Sequence, residues 1–403
     1  MSAIEYRFLE PLDVLFLRGN KLFGDPGSYG ESLVPPWPSV AAGALRSRML
    51  ADDGVDLAAF AAGRVTHPTL GTPENPGAFQ VTSFQMARRL ADGRVEPLIA
   101  PPADLVIGEQ DGKVNSVRAL NPAAPAAGVR SSSPLPKLPV LAEAERGKAA
   151  SGYWLSEAGW RRYLAGETPL PGDLIKSSEL WRIDPRVGVG LDAATGRAAD
   201  GRLFSVQAVA MIKRGHRIGT KNENSEEKPI LADYEVGFLA GIAGAVPPAS
   251  GMVRLGGDGR AAAIHAAAPN VAEPDYAAIA RAGRCRLVLA TPGIFSEGWK
   301  LPGLDAEGRF HLGEVSGRLV CAAVTRAEIV SGWNLAAWSQ GKGAGPKSAR
   351  RAAPAGSVYW LDELDATPEA LRKLADAGLW GKGGEDRQRR AEGFNRFGLA
   401  AWK

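Results

Sequence analysis

The 403-residue sequence predicts an α+β chain made of two tandem ferredoxin-like domains with long insertions and glycine-rich loops. The first spans residues 1–270 and the second 280–403. Three observations carry this expectation. After residue 280 the patterns run strand, crossover, strand, strand, helix, strand, which is the split βαβ order. Before residue 270 the same order recurs more loosely, spread out by insertions. Between them, Pro269 to Pro274 is polar and proline-bounded, as a boundary is.

Taken in order, IEYRFLEPLDVLFLR (4–18) alternates loosely and reads as a first strand, interrupted at Pro11. Residues 19–36 cluster Gly, Pro, Asn, Asp and Ser, which is loop chemistry. In PSVAAGALRSRMLADDG, Ser39 is placed as the N-cap, Val40, Leu45, Met49 and Leu50 share a face, and Gly54 closes the helix. Residues 79–90 and 95–107 read as strands around the turn Asp92-Gly93. A Pro/Ala/Ser-rich loop, 121–150, is an extended surface excursion, and 155–164 is a short helix. Residues 186–212 form a long hairpin with the glycine-bearing tip AATGRAADG. Residues 236–246 read as a strand, because three glycines weaken a helix there. RLGGDGRAAAI (254–264) is a turn followed by a strand. In the second domain, 284–295, 319–333, 357–364 and 397–402 read as strands, and Thr367 opens a helix that runs to Gly378.

Composition is 45% hydrophobic and 23% charged, ordinary for a globular protein. No apolar stretch approaches membrane-spanning length, so no membrane partner is expected. Glu5, Arg7 and Asp13 interrupt the first apolar run, which is therefore not read as a signal peptide. The two cysteines, Cys285 and Cys321, form neither a disulfide framework nor a CxxC zinc pair, and a reducing cytoplasmic location fits. The net charge of +4 and pI near 9.0 are only mildly basic, and the distribution of the charge says more about partners than its total.

Enzyme signatures are weak. The nearest approach to a phosphate-binding P-loop, Gly341 to Ser348, has Pro346 where the motif needs its Lys to follow Gly. Neither G-x-S-x-G nor H-E-x-x-H occurs. His67, His216, His265 and His311 are scattered, so no metal or cofactor site is expected. His216, among Lys213, Arg214, Arg217 and Lys221, is the one candidate base for RNA cleavage. Basic residues instead gather on loops: Arg18 with Lys21; Arg182 with Arg186; Lys213, Arg214 and Arg217; Lys342, Lys347, Arg350 and Arg351; and Arg387, Arg389 and Arg390, the group closest to a plain solvated run. Such loops neutralise phosphates, and their glycines let the backbone approach closely. The strands lack the aromatic signature of a plain RNA-recognition motif.

Several motifs together resemble one family. PLDVLFLRGNKLFG followed by PPWPSVAAGALRS, RVGVGLDAATGRAADGRLFSVQAV, RLGGDGR, TPGIFSEGW and EGFNRFG are similar to segments of the third-subunit family of the Cmr complex, a RAMP-type component of type III-B CRISPR effectors. In RLGGDGR, Asp258 stands where the family more often has Glu. The resemblance runs from residue 6 to residue 398. It implies a non-catalytic protein that caps the 5′ handle of the guide RNA (crRNA). The implied neighbours are the large polymerase/cyclase-type subunit and the adjacent RAMP backbone subunit, with target RNA met only through the complex. Arg18, Gly19, Asn20, Lys21, Ser39, Gly43, Arg46, Arg182, Arg186, Gly256, Gly257, Arg260 and Asn395 fall in or beside these motifs and would hold the handle. The basic loops add Lys213, Arg214, His216, Arg217, Lys342, Lys347, Arg350 and Arg351. The hairpin would press on the backbone subunit. The alternatives are a RAMP endoribonuclease that processes precursor crRNA, and the equivalent subunit of a related type III complex.

Overall fold

The structure is a computed structural model that describes residues 3–19, 29–143, 147–218, 230–339, 343, 345–381 and 386–403. The chain is strand-rich mixed α/β, with several antiparallel sheets and few helices among the described residues. It divides into two compact units, each assembled from three stretches of the chain. The first comprises residues 1–96, 177–269 and 330–349; the second comprises 97–176, 270–329 and 350–403.

The first unit is built on a six-stranded sheet ordered Ser250–Arg254, Ala261–Ala267, Glu5–Pro11, Glu235–Ala243, Gln80–Arg89, Val95–Leu98. Phe8, on the central strand, faces Leu239 on one side and His265 on the other, and packs with Ala87 and Val95. Pro11 ends its strand as expected, since it cannot donate to the ladder. The helix Pro38–Asp52 lies on the strand Gln80–Arg89 and buries Ala41, Ala42, Leu45, Met49 and Leu50. Its N-cap is Trp37 rather than Ser39: Pro38, with φ already fixed near the helical value, occupies the first turn and pushes the start back. Ser39 is thus inside the helix.

The second unit carries a five-stranded sheet ordered Arg309–Leu312, Val315–Ala323, Val358–Asp365, Cys285–Leu289, Phe397–Ala401. Every residue of Cys285–Leu289 is buried. Cys285, Leu287 and Leu289 face one core with Tyr359, Leu361 and Leu371, beneath the helices Tyr276–Ala282 and Pro368–Ala377. Val288 faces the other core with Tyr163, Val320 and Trp360. A sheet buried on both faces needs two covers. The second cover is the 97–176 segment, with the helix Glu157–Leu164, which is why that segment belongs to this unit and not to the first. The strand Arg309–Leu312 was not foreseen.

One polar group interrupts this second core. Arg286 alternates to the same face as Val288, where its Nη1 meets Asp104 Oδ2 at 2.8 Å and its Nη2 donates to the Tyr163 carbonyl at 3.0 Å. The Tyr163 hydroxyl donates to Asp104 at 2.9 Å, and the Arg286 guanidinium stacks 4.0 Å from the Tyr163 ring centroid. Asp104 is fully buried, and desolvation raises its carboxyl above the ordinary range while Arg286 opposes the rise. Removing one member of such a pair strands an uncompensated charge. Arg286→Met is therefore expected to cost about 3–5 kcal/mol in urea unfolding. Asp104→Leu combined with Arg286→Met should recover most of that loss, and a double variant as weak as the single would refute the pairing account.

Burial pushes both thiols up to about 12, Cys285 and Cys321 alike. Reaction needs the thiolate. At pH 8, iodoacetamide should leave both unlabelled in the folded chain and alkylate both in denaturant, as read by intact mass.

Candidate nucleic-acid interface

Beyond Pro11 the chain leaves the sheet but stays extended, and residues 12–18 become the floor of a basic surface in the first unit. Leu15 exchanges backbone hydrogen bonds with Val209 at 2.8 and 2.9 Å, which docks the segment on the strand Ala198–Met211. Val14 and Phe16 pack with Val206 and Ala208. On its other side sits the turn Gly256-Gly257-Asp258-Gly259. The Gly257 N–H donates to the Phe16 carbonyl at 2.8 Å. Gly256 has φ +78°, and a Cβ there would lie 2.8 Å from the same carbonyl oxygen, so glycine is required both for conformation and for room. Asp258 is also left-handed, at φ 56°, which a short polar side chain tolerates.

This turn brings together residues about 240 apart in sequence. Arg18 Nη2 lies 3.5 Å from Asp258 Oδ1, and both side chains are about half exposed. Arg260 stacks 5.2 Å from the Phe16 ring centroid and meets Asp13 Oδ2 at 2.6 Å. Arg18, Gly19, Gly256, Gly257 and Arg260 therefore belong to one surface.

The hairpin Trp181–Leu191 with Ala198–Met211 extends from it, its tip spanning residues 192–197. Gly188 has no side chain because the Phe204 ring lies across it; a Cβ would come within 2.5 Å. Arg186 holds Asp184 through Nε and Nη2 at 3.0 and 2.9 Å. Arg182 donates to the Arg217 carbonyl. Lys213 Nζ reaches the Leu12 carbonyl at 2.8 Å, and Arg214 lies 3.7 Å from Glu235. His216 Nδ1 accepts the Lys213 N–H at 3.2 Å, so one ring nitrogen is engaged in its own turn. The segment 12–18 thus ties the basic turn at 213–217 to the glycine turn.

On the helix Pro38–Asp52, Ser39, Gly43 and Arg46 share one face by helical spacing. Gly43 is open, with no atom within 4 Å of the place a Cβ would take, and Arg46 stacks 5.9 Å from the Phe79 ring. Other candidates fall elsewhere. Lys347 belongs to the first unit but Arg350 and Arg351 to the second, so the glycine-spaced basic loop is not one cluster within a single unit. Asn20, Lys21 and Lys342 lie outside the described residues. Asn395 is 1% exposed, at φ 59°, and its amide holds the 294 and 379 backbones, so its side chain has nothing left for a ligand. Its motif, EGFNRFG, is a structural turn. Two acids escaped sequence reasoning, Asp13 and Asp184; Asp184 lies two residues before Arg186 on one strand, where alternation puts both on one face, whereas nothing local marks Asp13, some 247 residues from Arg260, as its partner.

Of the histidines, His67 is buried between Asp53 and the N–H groups of Thr69 and Leu70, and His265 faces Glu10 at 3.0 Å. Among the described residues no three His, Cys, Asp or Glu side chains group as metal ligands.

The fold and this surface define a strand-rich α/β protein that presents arginines over a glycine-lined backbone. Residues 7–402 match the family described as CRISPR-associated protein (Cas_Cmr3). The chain belongs to that family, as its motifs indicate. No curated protein matches. Two solved structures are similar: a chain of the Type III-B Cmr-beta complex bound to cognate target RNA and AMPPnP, at 11% identity, covering 98% of this chain and 99% of that one with TM-score 0.47; and a chain of the same complex bound to cognate target RNA, at 11% identity, covering 88% and 86% with TM-score 0.44.

Gly256→Ala tests the turn. Left-handed strain and the clash with the Phe16 carbonyl should cost about 1–3 kcal/mol of stability by urea unfolding. An unchanged midpoint would show that the turn relaxes without the close approach.

Proposed function

We propose that this chain is a non-catalytic subunit of a type III-B CRISPR effector that holds the 5′ handle of the guide RNA. Family membership supports the setting. The observation that carries the role is the joining of Arg18, Arg260 and the Gly256-Gly257 turn on the 12–18 segment, a surface where exposed backbone and guanidinium groups lie side by side. RNA phosphates are held by such pairs of donors, and a fixed handle sequence adds base contacts at unpaired nucleotides.

In this reading each main sheet is the core of a ferredoxin-like RAMP domain. In support, the four strands Glu5–Pro11, Gln80–Arg89, Glu235–Ala243 and Ala261–Ala267 stand in the sheet as fourth, first, third, second, and Cys285–Leu289, Val315–Ala323, Val358–Asp365 and Phe397–Ala401 do the same. The hairpin is the contact to the adjacent RAMP backbone subunit. Its outer face carries Val187, Val189, Leu191 and Leu203, between 44% and 70% exposed, an apolar stripe of the kind a partner covers. The large polymerase/cyclase-type subunit is the other neighbour, and target RNA is met through the complex. The cytoplasm is the proposed location; no helix of the described residues is long and apolar enough to cross a membrane.

The deciding experiment is a salt titration of guide RNA binding, with and without the repeat-derived 5′ handle. The chain is presented with its large-subunit neighbour and RNA cleavage is followed in the same samples. Handle-dependent affinity without cleavage is expected. Equal affinity for both RNAs would overturn the handle role, and cleavage at the handle boundary that His216→Ala abolishes would install the endoribonuclease reading.

Arg18→Ala and Arg186→Ala should each weaken handle binding by about 1–3 kcal/mol. Where the lost contact is to phosphate, the slope of log affinity against log salt should fall by about 1. Variants that bind as the parent does would remove these arginines from the interface.

A further inference from the structure

The second unit carries a cleft that none of the handle residues in the first unit uses. It measures about 560 Å³, within the range of small-molecule sites. Trp299 forms one side, and the serine-rich stretch Ser131 to Ser133 forms another. Arg351 is the one charged residue among those lining it, and no carboxylate lines it. Among the described residues Arg351 makes no ion pair or hydrogen bond through its side chain, and the same holds for its neighbour Arg350 and for Arg326, which sits between the lining residues Thr325 and Ala327. This contrasts with the first unit, where Arg18, Arg186, Arg214 and Arg260 each have a carboxylate partner. Two acids adjoin lining residues along the chain: Glu297, 3.0 Å from Lys300, and Glu328, at the start of the strand Glu328–Val330 that pairs with Arg350–Ala352.

We propose that this cleft is a second RNA contact that takes one unstacked nucleotide. Its base lies against Trp299, its phosphate meets Arg351, and the serine hydroxyls offer hydrogen bonds to base or ribose. The chemistry favours a nucleotide over an acidic peptide. An aromatic wall, apolar lining at Ala352 and Ala353 and a single lining cation suit a flat ring with one phosphate. The apolar lining is fixed because Ala353 exchanges hydrogen bonds with Gly293 at 2.8 and 2.9 Å, and Trp299 is held by the Tyr359 hydroxyl, which donates to its carbonyl at 2.7 Å. The proposal rests on the reading of this chain as a guide-RNA binder.

The test uses the assembled complex with guide RNA carrying a single 4-thiouridine, moved one position at a time through the handle and the adjoining guide. After irradiation, crosslinked peptides are identified by mass spectrometry. One position is expected to crosslink to Trp299 or to the 131–135 stretch. Arg351→Glu, an exposed substitution that leaves the core untouched, should remove that crosslink and weaken binding about tenfold, whereas Trp299→Phe should retain it. No crosslink at any position, with Arg351→Glu binding as the parent while Arg18→Ala weakens it, would overturn the cleft and leave the handle reading intact. A cleft crosslink from RNA that binds equally well without its handle would keep the cleft and remove the handle reading.

Discussion

The hydrogen bond from the Gly257 N–H to the Phe16 carbonyl, with no Cβ between the two backbones, is the contact on which the candidate interface depends. It seats the 256–259 turn on a segment that has already left the main sheet. That segment is in turn held by the Leu15–Val209 pair to the hairpin. Sheet, turn and hairpin are therefore mechanically connected through the short segment 12–18. A side chain at Gly256 would push the turn from its floor and carry Arg260 away from the Phe16 ring and Asp13.

The electrostatics of this surface are less one-sided than the count of basic residues implies. Arg18, Arg186, Arg214 and Arg260 each face a carboxylate at a partly exposed site. Such pairs contribute little, roughly 0–1 kcal/mol each, so exchanging a carboxylate for a phosphate costs little. The carboxylates lie within ion-pair distance of the guanidinium groups and so favour these side-chain positions. The second-unit cleft differs: Arg351, which lines it together with Ala352 and Ala353, has no carboxylate partner among the described residues. Within that unit the stable charge is buried instead, in the Asp104–Arg286–Tyr163 cluster that fastens the 97–176 cover to the sheet.

Much of the local structure was legible in the sequence because it is set by neighbours in the chain. Pro11 stops a strand, Thr367 and Gly378 bound a helix, Asp92-Gly93 turns a hairpin, and the two strand-like runs within 186–212 make a second one, whose first strand begins earlier, at Trp181. Ser39 misled because Pro38 outcompetes it for the helix start. The make-up of the two units is not a local property. Cys285–Leu289 reads as an apolar run, but the run does not say which segment covers its second face, and the answer, 97–176, lies more than 100 residues upstream.

The same division holds for the site. The sequence alone determined the family, the basic loops and the glycines that let backbone approach backbone, because these are properties of residue type and short spacing. Tertiary structure decided which of them meet: Arg18 with Asp258 and Arg260 with Asp13 join, and Asn395 disappears into the second unit's interior. Contacts between residues some 240 apart follow from sheet order and from the burial of both sheet faces, which are global outcomes of packing that no local window of sequence encodes.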